Sequence, residues 1–216
     1  MYIPKKNLKE NWEEVEYLIE NYPLATIITI DEGSIIANHI PFVLKIDESG
    51  GSKKLLAHIA KSNHQIPSLK SNDNVVVIFQ SINSYITPEY YPTKQETHKV
   101  VPTWDFASVH IHGISKIIDD FEFVRNQLNL LADQEEGKKP TNQKKWKVNE
   151  APENYLKIMQ KNIVGLEIEI TSFECKYKLQ QDMRKQDLDG VIEGLANDNK
   201  IELSELTKKT NYEDTQ

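Results

Sequence analysis

The chain has 216 residues, of which 38% are hydrophobic and 27% charged, enough for one substantial core and too apolar for disorder throughout. Its formal net charge of −7 argues against a broad affinity for nucleic acid, which needs lysine and arginine against phosphates, although a local basic patch is compatible with it. No apolar run approaches the roughly 18–20 residues that cross a bilayer, and Met1-Tyr2-Ile3-Pro4-Lys5-Lys6 lacks the apolar stretch of a secretory signal, so a cytoplasmic protein is expected.

Asn11-Trp12-Glu13-Glu14 has the form of a capping box, and Trp12, Val15, Leu18, Ile19 and Tyr22 follow at helical spacing until Pro23. Leu24 to Ile30 is β-branched, Asp31-Glu32-Gly33-Ser34 is a turn, and Ile35 to Leu44 reads as the second strand of a hairpin. A turn cluster over 47–52 precedes a third strand, Lys54 to Ala60, then a short helix to about Leu69 and a buried strand, Asn74 to Gln80. The long loop that follows carries Pro88, Pro92 and Pro102 with Tyr85, Tyr90, Tyr91 and Trp104, and loops of such length usually serve a site or an interface.

Val109 to Asp119 alternates as a strand, and Phe121 to Asp133 has helical spacing. Glu135 to Lys147 is a polar, lysine-rich connection. A helix from Pro152 to about Lys161 and a strand from Val164 to Leu179 come next, and Gly190 interrupts a last short helix. Residues 1–196 are thus read as one domain with a helical insertion around 120–162, and 197–216 as a polar tail, a frayed helix or a flexible segment. The pattern is mainly β with flanking helices: a small antiparallel barrel, with an antiparallel sandwich as the alternative.

Three groups of residues could carry chemistry. His58 through Gln65 sits where a strand gives way to a helix, so free amides, Ser62, Asn63 and the Lys61 ammonium could hold an anion, although a helix cap and a solvated lysine explain them equally. His110 and His112 share a strand face; a metal would need further ligands from His39, His58 or His98, and hydrogen-bonded imidazoles are preferred, with no metal expected. The lysines at 138, 139, 144, 145 and 147 around Trp146 could touch a nucleic-acid backbone, but such runs are usually only solvated. The single Cys175 can form no internal disulfide and fits a reducing compartment.

Taken together, Met1-Tyr2-Ile3-Pro4, Ala37-Asn38-His39-Ile40-Pro41, Ala57 through Asn63, Tyr85 through Lys94, Lys99 through Phe106, Val109 through Gly113, Ile163 through Ile170 and Gly190-Val191-Ile192 resemble the PaiB-type FMN-binding negative transcriptional regulators, relatives of the pyridoxamine phosphate oxidase-like split barrels. The resemblance implies a six-stranded antiparallel split β-barrel, working as a homodimer with FMN at the subunit boundary. It implies a phosphate at Lys61, Ser62 and Asn63, backbone near His39 and His58 against the ring, and Thr103, Trp104, Lys178 and Gln181 from the partner subunit. Two positions depart from the family pattern: Lys61 stands where relatives often carry arginine, giving a point charge instead of a planar fork, and Gln180-Gln181-Asp182 replaces serine-glutamine-asparagine.

The functions implied are a flavin-dependent regulator of transcription or an FMN-dependent oxidoreductase passing electrons from NADH or NADPH to a small acceptor, with haem binding or degradation behind them.

Overall fold

The computed structural model describes residues 1–47, 51–71 and 74–212, so the turn expected over 47–52 falls partly outside the described residues. After a two-residue strand β1 (Leu8–Lys9), helix α1 (Trp12–Asn21) turns Val15, Leu18 and Ile19 inward at spacings of three and four and ends before Pro23. Strands β2 (Leu24–Asp31) and β3 (Ser34–Pro41) form the expected hairpin. Its two-residue turn places Glu32 at φ 47° and Gly33 at φ 82°, the left-handed pair whose twist matches that of the strands.

What reads in sequence as one strand from Ile35 to Leu44 is two. Phe42 is fully buried and its amide bonds to the Pro23 carbonyl at 2.9 Å, which takes the chain off β3. The next four residues, β4 (Val43–Ile46), pair instead with β5 (Lys53–Ala60). The helix expected from residue 61 is confined to α2 (Ile66–Lys70), and β6 (Asn74–Gln80) follows. The long aromatic loop contains β7 (Ser84–Ile86) and α3 (Lys94–Thr97). Strand β8 (Thr103–Ile118) begins six residues earlier than the alternation from Val109 suggests.

Helices α4 (Phe121–Gly137) and α5 (Glu153–Gln160) lead to β9 (Ile163–Lys178), α6 (Lys185–Asn197) and α7 (Ile201–Tyr212). The six strands of seven residues or more match the expected number, and three short ones raise the sheet to nine among the described residues. Its order, β3-β2-β6-β8-β9-β5-β4, is an open path, with β1 added to β9 and β7 to β8.

The chain divides into two compact units, 15–79 with 110–173, and 1–14 with 80–109 and 174–216. In the first, Ile27, Leu55, Val77, Ile111, Leu166 and Ile168 are buried, and Phe42 meets Phe79 edge to face at 6.1 Å. Gly165 of β9 leaves room for helix α4: a Cβ there would stand 2.3 Å from the Phe123 ring.

In the second unit α6 runs straight through Gly190, which does not interrupt it. Cβ atoms at Gly190 and Gly194 would collide with the Tyr90 segment, at 2.2 Å from its carbonyl oxygen and 2.3 Å from its ring, so the glycines form a smooth bed for that segment. Asp187 fastens it there, accepting from the Thr93 amide at 3.1 Å and hydroxyl at 2.9 Å.

Of the frayed helix or flexible tail expected beyond residue 196, a helix is found, α7 to Tyr212, because Leu203 and Leu206 are buried and the small polar side chains of Ser204, Thr207 and Thr210 fill the same inward stripe. Leu203→Ala should therefore cost about 2–4 kcal/mol, as emptying a buried leucine site does, and lower the midpoint of urea unfolding. An unchanged midpoint would return this segment to a tail.

Candidate functional site

The candidate residues fall into two sets, one in each unit. In the unit containing residues 15–79, the turn after β5 is shaped from beneath by Gln65, which has no solvent exposure. Its side chain accepts from Asn38 Nδ2 at 2.8 Å and donates to Thr29 Oγ1 at 3.0 Å, and its amide bonds Asn63 Oδ1 at 2.9 Å. Asn63 is thus a local cap. Lys61 and Ser62 are exposed on the turn, and the Lys61 ammonium pairs with Asp119 at 2.8 Å. Both members of that pair are well solvated, at 41% and 69% side-chain exposure, so it is weak and an incoming dianion can replace it.

An exposed ammonium, a hydroxyl and a turn of backbone are the donors a phosphate takes, and in that sense the set fits the headgroup of FMN. His39 is exposed on the edge strand β3. His58 Nδ1 lies 2.6 Å from Gln127 Oε1, and Gln127 Nε2 is buried without a partner among the described residues. The imidazole of His58 is therefore held by α4.

The other unit contains a cavity of about 320 Å³ lined by three of the expected residues, Thr103, Lys178 and Gln181. Trp104 is not among its lining. The indole is 52% exposed, donates to Asn83 Oδ1 at 2.9 Å and packs edge to face on Tyr85. Gln181 turns its amide back onto the chain, to Tyr177 O at 2.6 Å and from Leu179 N at 2.8 Å.

Behind the wall of this cavity lies a residue that sequence reasoning did not single out. Asp105 is completely buried. Gln180 Nε2 lies 2.7 Å from both of its carboxylate oxygens, and Gln180 Oε1 accepts from the Tyr91 hydroxyl at 3.2 Å. Lys178 Nζ stands 3.8 Å away, an ion pair longer than a hydrogen bond, and donates to Thr103 Oγ1 and the Trp104 carbonyl.

Burial pushes the Asp105 carboxyl up to about 6, against the downward pull of Gln180 and Lys178. Burial also lowers Lys178; Asp105 opposes that shift, while Lys176 and Lys6 add to it by like-charge repulsion. Tyr91 is raised to about 12 by burial and by the neighbouring Asp105 charge. Gln180 and Asp182 both have φ 65°, a left-handed conformation that costs a non-glycine residue free energy and persists where surrounding contacts impose it.

The remaining candidates have structural roles. Lys138, Lys139 and Lys144 pair with Glu135, Glu136 and Glu150 at 2.7, 2.6 and 2.9 Å, which neutralises much of the lysine-rich connection. Cys175 is buried and its thiol is raised to about 12, chiefly by burial, so it is unreactive. Among the described residues no three or more His, Cys, Asp or Glu side chains gather in a metal-binding group, and no helix is long and apolar enough to cross a membrane.

Comparison with known proteins adds four findings. Residues 1–172 match a family described as "Putative FMN-binding domain". An uncharacterized protein of Saccharomyces cerevisiae is 48% identical over 105 residues, a match that spans 48% of this chain and 62% of the yeast protein. Protease synthase and sporulation protein PAI 2 of Bacillus subtilis is 28% identical, with 92% of this chain and 90% of that protein covered. Among solved structures, an FAD and heme binding protein from Mycobacterium smegmatis has the same fold, with a TM-score of 0.56 at 16% identity, covering 85% of this chain and 79% of that one.

Asp105 gives the stability of this unit a defined pH dependence. Its carboxyl moves from 3.8 to about 6 on folding, so its contribution is full below the unfolded value and is lost as pH rises through about 6. The loss is on the order of 3 kcal/mol before relaxation. Asp105→Asn should flatten that segment of the pH–stability profile, measured by urea unfolding above and below this pH; a variant whose profile parallels the parent's would show that Asp105 ionises normally.

Proposed function

The chain belongs to the FMN-binding domain family, with FMN as its cofactor, and from that premise we propose that it is a flavin-dependent regulatory protein of the PaiB type, acting as a cytoplasmic homodimer. The observation that carries this reading is the end-to-end similarity to PAI 2, whose name concerns protease synthesis and sporulation. In this reading the FMN phosphate rests on Lys61, Ser62 and Asn63 near His58 and His39, and the partner subunit adds Thr103, Trp104, Lys178 and Gln181. The flavin supplies redox chemistry when bound, and the chain positions it.

A second copy is supported by the outer face of β2 and β3. Leu24, Ile30 and Ile35 are 63, 65 and 75% exposed there, and Ile30 and Ile35 face each other across the hairpin. An apolar patch beside an unpaired strand edge favours association. The neutralised lysines at 138, 139 and 144 weigh against direct DNA binding, so the regulatory output passes through a protein partner.

The oxidoreductase reading is favoured by one specific feature, the Asp105 carboxyl near 6, because groups poised to exchange protons at neutral pH concentrate at reactive sites. Anaerobic mixing of the FMN complex with NADH or NADPH separates the two readings: bleaching of the flavin band supports electron transfer, and an unchanged band supports regulation.

For the flavin itself, FMN fluorescence should quench on titration with the protein, at one FMN per protomer in a dimer by sedimentation. Lys61→Ala should weaken FMN about tenfold, the scale of one charge-assisted phosphate contact. A monomer that leaves FMN fluorescence unchanged would overturn the proposal.

A further inference from the structure

Helix α5 is attached to the protein by its polar side. Of its eight residues only Leu156 and Gln160 are buried. Gln160 accepts from the Arg125 guanidinium of α4 at 2.8 Å, and Glu153 pairs with the same arginine at 3.0 Å. The large apolar residues are left outside: Tyr155, Ile158 and Met159 are 55, 55 and 43% exposed. Spacings of three and four put them on one helix face, the reverse of the usual arrangement in which the apolar stripe meets the core.

The segment that leads into α5 adds an exposed aromatic and unneutralised charge. Trp146 is 43% exposed, and its amide is tied to Glu136 of α4 at 3.0 Å. Residues 135–161 hold seven lysines against four glutamates, in a protein whose net charge is −7. Lys138, Lys139 and Lys144 are paired, but Lys147 and Lys161 have no ion pair among the described residues. Lys157 has only a solvated one, with Glu153 at 3.7 Å. Positive charge therefore remains before, within and after the helix that shows its apolar face.

Surfaces of three kinds take positive charge, and the apolar face separates them. A nucleic-acid backbone would meet the lysines and leave Ile158 and Met159 in water. Protein interfaces favour arginine and are depleted of lysine, whereas every cation of this segment is lysine. A bilayer interface takes both halves: tryptophan and tyrosine settle among headgroups, aliphatic side chains enter the acyl boundary, and long lysine stems reach back to anionic phosphates. Eight residues are far too few to span, so the helix would lie along the surface.

We propose that α5 and the connection before it form a docking surface for an anionic lipid bilayer. Trp146, Tyr155, Ile158 and Met159 enter the headgroup boundary, and the lysines at 147 and 161 lie against its negative charge. The contact is peripheral and reversible, because a few side-chain anchors and a few lysines supply it. It uses none of the residues placed at the flavin and does not depend on that reading.

The test is co-sedimentation of the whole chain, with and without FMN, with vesicles of phosphatidylcholine containing about 30% phosphatidylserine and with phosphatidylcholine alone. Pelleting with the anionic vesicles is expected in both forms, falling as salt screens the lysines, with little on the neutral ones. Tryptophan emission should shift to the blue on binding, and Trp146→Phe should remove that shift. Ile158→Gln should weaken binding about tenfold and Lys161→Gln about fivefold, with the urea midpoint and FMN uptake unchanged.

No pelleting with anionic vesicles at low salt would overturn the proposal and leave this face to an acidic protein. Pelleting that both substitutions leave unchanged, tighter binding to duplex DNA than to vesicles, or a dimer split by Ile158→Gln would overturn it as well, the last by placing the face between two copies. A protein that takes up no flavin yet pellets with anionic vesicles would count against the flavin reading and leave this one standing.

Discussion

A carboxylate that reaches no solvent, Asp105, sets the terms for the residues around it. Burying a charge in a low-dielectric interior is unfavourable by several kcal/mol unless partners surround it. Gln180 supplies two contacts only by adopting a left-handed backbone, and Lys178 supplies a countercharge only by giving up hydration and lying near other lysines. The carboxyl still remains high, at about 6. A fold selected for stability alone gains little from this arrangement; an apolar residue of similar size would be easier to bury.

The periodic parts of the fold were legible in sequence because their inward residues are apolar and regularly spaced. The hairpin turn at Glu32-Gly33, helix α4 and the alternation of β9 are of this kind. The start of β8 was hidden because Pro102 and the aromatics around it look like loop, whereas Trp104 and Phe106 lie on one strand face with Asp105 and Ala107 opposite. The break at Phe42 follows from a backbone bond to Pro23, nineteen residues earlier, that no local pattern encodes. The packing of helix α7 is hidden in sequence for a compositional reason: its buried stripe is completed by Ser204, Thr207 and Thr210, which read as solvated.

The candidate site was legible only in part, for the same reason. Lys61, Ser62 and Asn63 stand together in sequence, and their turn could be anticipated. Asp105 and Gln180 are 75 residues apart and neither lies in a motif of its own; Gln180 drew notice only as a departure from the family pattern. The lysines at 138 and 139 pair with Glu135 and Glu136 three residues before them, which sequence spacing anticipates, whereas Lys144 meets Glu150 only once the segment after α4 is folded. Lys61, beside a weakly held Asp119, keeps effective positive charge in an otherwise acidic chain of this family.

The most direct measurement is a carbon-13 carboxyl titration of Asp105 by NMR, assigned with Asp105→Asn. The account requires a midpoint near 6, since burial disfavours the ionised form more than Gln180 and Lys178 favour it. A midpoint at the ordinary aspartate value of about 4 would contradict it.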